Sequence, residues 1–141
     1  MVHQMNDILI MMMVWLGTNT PYNTHISIPN VIQTEKANLC RNYGIASKGQ
    51  CSTAQLVGFY NKSNTIYLHH NFNHTNISDQ GRLLHELVHY VQWANGIHKT
   101  TCLGHLEVEA YEIQDRWRAR YNLTSTLDPF KKVLLEASCD D

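Results

Sequence analysis

The sequence predicts an α+β fold in which a small antiparallel sheet packs on two long helices, with further helices at the two ends of the chain. Three observations predict it. Two apolar, partly alternating segments are joined by four polar residues, Asn61-Lys62-Ser63-Asn64, the pattern of a hairpin. Two stretches downstream carry apolar residues at helical spacing. The length of 141 residues, with 43% hydrophobic and 16% charged residues, is that of one globular domain with its own core, which excludes global disorder. A formal charge of -1 without any Lys/Arg block removes the electrostatic case for nucleic acid or an anionic membrane as partner.

Residues 1–17 contain the apolar run Ile8 to Leu16. The run resembles a signal-peptide core in length, but no Lys or Arg precedes it, Asp7 abuts it and no small-residue cleavage site follows. It reads as an N-terminal helix ended by Gly17, with a degenerate signal segment as the alternative. Nine apolar residues are too few to span a bilayer. His25-Ile26-Ser27-Ile28 reads as a short strand stopped at Pro29, with Val31-Ile32 continuing it, and Glu35 to Arg41 reads as a short helix. Gln55 to Tyr60 and Thr65 to His69 are the two hairpin strands.

A helix is expected from about Asp79 to Ala94, capped by Ser78 or Asp79 and stopped at Asn95-Gly96. Leu84, Leu87, Val88 and Val91 form its core stripe, and His85, His89 and Gln92 form a stripe beside it. The segment contains His85-Glu86-Leu87-Val88-His89. Positions four apart share a helix face, so both imidazoles can reach one metal ion, with Glu86 beside them as general base for a water. Leu106 to about Tyr121 reads as the second long helix, with Leu106, Ala110, Ile113 and Trp117 on one face and Glu107 and Glu109 flanking it on either side. Asp128-Pro129 starts a last helix.

A catalytic zinc site takes three protein ligands and leaves a position open. A third His six residues after His89 is ruled out, because position 95 is Asn. A carboxylate from the next helix is available: Glu109, 20 residues after His89, with Glu107 as the competing choice. In this combination the chain resembles the gluzincin metallopeptidases, the thermolysin-like class in which His-Glu-x-x-His is followed by a Glu ligand on a downstream helix. The fuller pattern, with Cys102, Glu107-x-Glu109-Ala110-Tyr111, Gln114, Trp117 and the Asp128-Pro129-Phe130 helix ending in Cys139, is similar to small bacterial gluzincin-like domains of unassigned substrate. The resemblance covers roughly residues 55–139. It implies a minimal zincin-like domain over 1–141, with His85, His89 and Glu109 on Zn2+, Glu86 as catalytic base, and hydrolysis of a peptide or protein substrate. Those enzymes carry an acidic residue four positions after the Glu ligand to orient a ligand His. Here that position is Ile113, so support must come from Gln114, Asp115 or a backbone carbonyl.

Tyr111, His98, His105 and Tyr90 are candidates to stabilise the reacting oxygen, and the strand Thr65 to His69 is a candidate edge for pairing with a peptide, with His69 and His70 at its rim. The alternative to an enzyme is a catalytically silent or latent zinc-binding domain with a regulatory or interaction role, in which the Met-rich N-terminal run could act as a cover. Four cysteines without a Cys-x-x-Cys pair favour two bridges, Cys40 to Cys51 and Cys102 to Cys139, over the other connectivities or free thiols. Bridges imply an extracytoplasmic or secreted setting, and free thiols a cytoplasmic one.

Overall fold

The computed structural model describes residues 2–53, 58–61 and 64–139. The first helix, α1 (Val2–Asn19), places Leu9, Met12, Met13 and Leu16 at helical spacing on one buried face. These four join Ile66, Leu68, Leu84, Leu87, Val88, Ile113 and Trp117 in a single core, and Trp15 meets Trp117 edge-on at 5.3 Å. Fully burying such side chains contributes about 1.5–3 kcal/mol each. Residues expected to be either a helix or a signal segment therefore form a core helix here. The run proposed as a cover is built into the hydrophobic interior instead. Gly17 does not end α1, because Asn19 Nδ2 and Thr20 Oγ1 donate to the carbonyls of Trp15 and Leu16 at 2.8 and 2.7 Å and hold the last turn.

Three strands follow: β1 (Asn30–Thr34), β2 (Gly58–Asn61) and β3 (Thr65–His69), in the order β1-β3-β2. The strand begins after Pro29 rather than before it; Ile26 and Ile28 instead pack on the core from an irregular segment. The hairpin pair β2 and β3 is antiparallel, from Gly58 opposite Leu68 to Asn61 opposite Thr65. Residues 55–57 of the expected strand and 62–63 of its turn lie outside the described residues. The expectation of an antiparallel sheet is corrected by β1, which runs parallel to β3 from Asn30 beside Thr65 to Thr34 beside His69. The sheet is mixed. Helices α2 (Lys36–Tyr43) and α3 (Lys48–Thr53) intervene between β1 and the hairpin and give the chain the length that a parallel return needs. Cys40 and Cys51 bridge these two helices, with Cα atoms 5.8 Å apart. Because β3 is the central strand, it offers no free edge, and the expected pairing of a peptide along Thr65 to His69 is also corrected.

Two further long helices, α4 (Ile77–Ala94) and α5 (Leu103–Ala119), pack against each other and are linked by a short 3-10 turn, Ile97–Lys99. The α4 cap is Asn76, whose Oδ1 accepts from Asp79 N at 3.0 Å, and not Ser78 or Asp79. Asp79 supports the loop before it by accepting from Asn73 N at 2.9 Å. After α4 the chain turns through Gly96 at φ 73°, a left-handed conformation that glycine adopts without strain. The last helix, α6 (Pro129–Ala137), is capped as expected by Asp128, which accepts from Lys131 N at 2.7 Å. Gly104 lets the first turn of α5 abut α6, since a Cβ there would collide with the Leu135 carbonyl. The Cys102–Cys139 bridge closes the same junction. Both expected disulfides are present, and no described helix is long and apolar enough to cross a membrane.

Candidate metal centre

The α4 stripe that buries Leu84, Leu87, Val88 and Val91 turns His85 and His89 toward α5. Their rings lie 5.0 Å apart, centre to centre, and both Nε2 atoms face one oxygen, Glu107 Oε1, each at 2.7 Å. The carboxylate brought to the imidazoles is thus that of Glu107, the competing choice, while Glu109 lies outside this cluster. Helix geometry gives the reason. Residues two apart on a helix are about 200° apart around its axis, so Glu107 and Glu109 leave α5 on different flanks and cannot both reach the point where the two imidazoles meet. Glu109 lies on the other flank of α5, where its Oε1 accepts from Tyr22 Oη at 2.5 Å and from Gln92 Nε2 at 2.9 Å. The phase was readable: Glu107, Tyr111 and Gln114 stand at i, i+4 and i+7, the face that meets His85.

Each imidazole is held from behind by a glutamine. His85 Nδ1 contacts Gln114 Oε1 at 3.0 Å, and His89 Nδ1 contacts Gln92 Oε1 at 2.9 Å. Of the three supports expected in place of an acidic residue at 113, Gln114 fills the role. Asp115 instead accepts from Thr126 N and Leu127 N and fixes the loop before α6. An amide oxygen only accepts, so each Nδ1 carries hydrogen and each neutral ring keeps its Nε2 lone pair toward Glu107. Two lone pairs and a carboxylate oxygen then converge on one point with no hydrogen among them. That donor set fits a divalent cation of borderline softness such as zinc.

Protons can occupy the same place. Burial favours the neutral form of His89, but the Glu107 hydrogen bond, the charges of Glu86 and Glu107 and the Gln92 contact prevail and raise its pKa. Burial likewise works against the Glu107 carboxylate, yet its bonds to His85 and His89 and their charges hold it well below the usual carboxylate range. Glu86 is 5% exposed on the same helix, with Arg82 Nε 3.8 Å from its Oε2. Tyr22 was not anticipated from sequence; 87 residues separate it from Glu109. Burial first, then the Glu109 hydrogen bond and charge, push its hydroxyl far above the ordinary tyrosine value.

The four candidates for an oxygen-stabilising group separate. Tyr111 meets the His85 ring edge-on at 4.4 Å and carries Lys131 Nζ 3.7 Å over its own ring. Tyr90 donates its hydroxyl to the Ser27 carbonyl, His98 stacks on Trp93 at 3.6 Å, and His105 lies beside the Cys102–Cys139 bridge. His69 and His70 stack on each other at 4.4 Å, outside the cluster of His85, His89 and Glu107. Among known families, a model described as a domain of unknown function (DUF6647) matches residues 2–141. No curated protein and no solved structure matches the chain.

Proposed function

The chain belongs to the DUF6647 family, and we propose that it is a zinc-dependent hydrolase acting on peptide-type bonds, a peptidase or amidase, with His85, His89 and Glu107 as ligands. The convergence of two Nε2 lone pairs and Glu107 Oε1, each ring locked by a glutamine, carries the proposal. Zinc in that position supplies a Lewis acid for the scissile carbonyl and acidifies a water. Glu86, next to His85 on the same helix, accepts the proton of the attacking water and passes it to the departing nitrogen. Gln92 and Gln114 hold the two rings in one tautomer throughout. Tyr111 shields the His85 ring, and its hydroxyl is the candidate donor to the reacting oxygen. The two disulfides support an extracytoplasmic or secreted setting.

Glu86→Gln separates binding from turnover. Both proteins should hold one equivalent of zinc, while hydrolysis of a peptide mixture falls by about 10²–10⁴-fold in the variant. Wild-type protein with less than about a tenth of an equivalent, unchanged by His85→Ala, would remove the metal centre. The Arg82 contact, which offsets the Glu86 charge, favours a second reading as a catalytically silent zinc domain. Full zinc occupancy with no wild-type hydrolysis would select it.

A further inference from the structure

The metal-centre reading leaves Glu109 and Tyr22 without a task, and Gln92 connects them to the site. Gln92 is 0% exposed, buried between α4 and α5. Its Nε2 donates to the Leu106 carbonyl at 3.0 Å and to Glu109 Oε1 at 2.9 Å, which uses both of its hydrogens. Both acceptors are oxygens without a hydrogen to give, and Glu109 Oε1 is itself held by the Tyr22 hydroxyl at 2.5 Å. The amide therefore has one favourable orientation, with Oε1 toward His89 Nδ1. Rotated by half a turn, it would set its oxygen against a carbonyl and a carboxylate.

Resting on the assignment of His89 as a ligand, we infer that Glu109 and Tyr22 are positioning residues that act through Gln92. They fix its amide and so hold His89 as the Nδ1–H tautomer, with Nε2 presented to the ion. The segment after α1, 87 residues from Glu109 in sequence, thereby sets the metal affinity of a helix it does not carry. His85 is outside this chain of bonds, because Gln114 holds it independently.

The test compares Glu109→Leu, Glu109→Gln and Tyr22→Phe with the wild type by zinc titration and by nitrogen-detected NMR of the imidazoles. In Glu109→Leu, zinc affinity should fall about tenfold, the lower end of the effect of losing an outer partner of a ligand. In alkaline, metal-free protein, His89 should become a tautomer mixture while His85 keeps its Nδ1–H form. Glu109→Gln, which can present an oxygen to both donors, should restore most of the affinity, and Tyr22→Phe should lie between it and Glu109→Leu. Affinity within about twofold of wild type in Glu109→Leu, with an unchanged His89 spectrum, overturns the inference. So does complete loss of zinc in Glu109→Leu with retention in Glu107→Gln, which would make Glu109 the ligand. If Glu109→Leu fails to fold, Tyr22→Phe carries the same two readouts, and no change in either refutes the inference. The metal-free spectra decide the positioning claim even if the wild type binds no zinc, so the two proposals fail separately.

Discussion

Leu16→Ala tests whether the N-terminal helix belongs to the folded core. Leu16 is 1% exposed, while Val14, on the opposite face of the same helix, is 66% exposed. Truncating a buried leucine removes its transfer free energy and leaves a cavity, a cost of about 2–5 kcal/mol. With a urea dependence of about 2 kcal/mol per molar, the unfolding midpoint should fall by roughly 1–2.5 M. Val14→Ala should change stability by no more than about 0.5 kcal/mol. The measurement is equilibrium urea unfolding of metal-free, oxidised protein, so that neither zinc binding nor thiol exchange adds to the difference. Equal shifts for the two variants, or a Leu16→Ala midpoint within about 0.3 M of wild type, would refute the placement of α1 in the core.

Other outcomes follow from the site and the bridges. In metal-free protein the Glu107–His89 contact contributes stability in an acid window. The lowered pKa of Glu107 makes its share present above its ordinary value of 4.5 and lost as pH falls through the folded value. The raised pKa of His89 makes its share full below 6.5 and lost as pH rises through its folded value. A pH series of thermal unfolding should therefore show the contribution largest between 4.5 and 6.5, and Glu107→Gln should flatten it. Zinc affinity should run the opposite way, falling as acid protonates the ligand rings, which a competitive chelator titration would show. Gln114→Leu should leave His85 Nδ1 without its partner and weaken zinc binding about 10–100-fold. Removing the Cys102–Cys139 bridge, whose ends lie 37 residues apart, should cost about 4 kcal/mol by loop entropy, against about 3 for Cys40–Cys51. Because none of the described residues of α6 is buried, hydrogen exchange should place the first loss in α6 itself.

The parts that were legible in the sequence are those written in local pattern. The stripe Leu84, Leu87, Val88 and Val91 fixes which face of α4 packs, and His85, His89 and Gln92 follow from the same period. The Asp128-Pro129 start and the Asn95-Gly96 stop are local chemistry too, as is the antiparallel hairpin. Strand direction is different, because alternation says which side faces the core and nothing about which way a distant partner runs; β1 could not be oriented from its own residues. Glu107 and Glu109 are separable by helical phase, whereas the sequence distance to His89, 18 against 20 residues, says nothing about the angle around α5. Tyr22 lacked any signal, since its meaning depends on a contact across 87 residues.

The parallel pairing of β1 with β3 bears on how the chain reaches this state. Register partners Asn30 and Thr65 are 35 positions apart, so the pair cannot grow outward from a tight turn as the β2–β3 hairpin can. A Cys40–Cys51 link formed early would shorten the loop to be closed, yet loop entropy changes so slowly with length that the gain is roughly a few tenths of a kcal/mol. The bridge therefore does little to hasten the meeting of the two strands. During synthesis β1 emerges from the ribosome before the strand it pairs with does. Non-local pairings are the slow steps of folding, so the docking of β1 onto a preformed hairpin is expected to be the last event in completing the sheet.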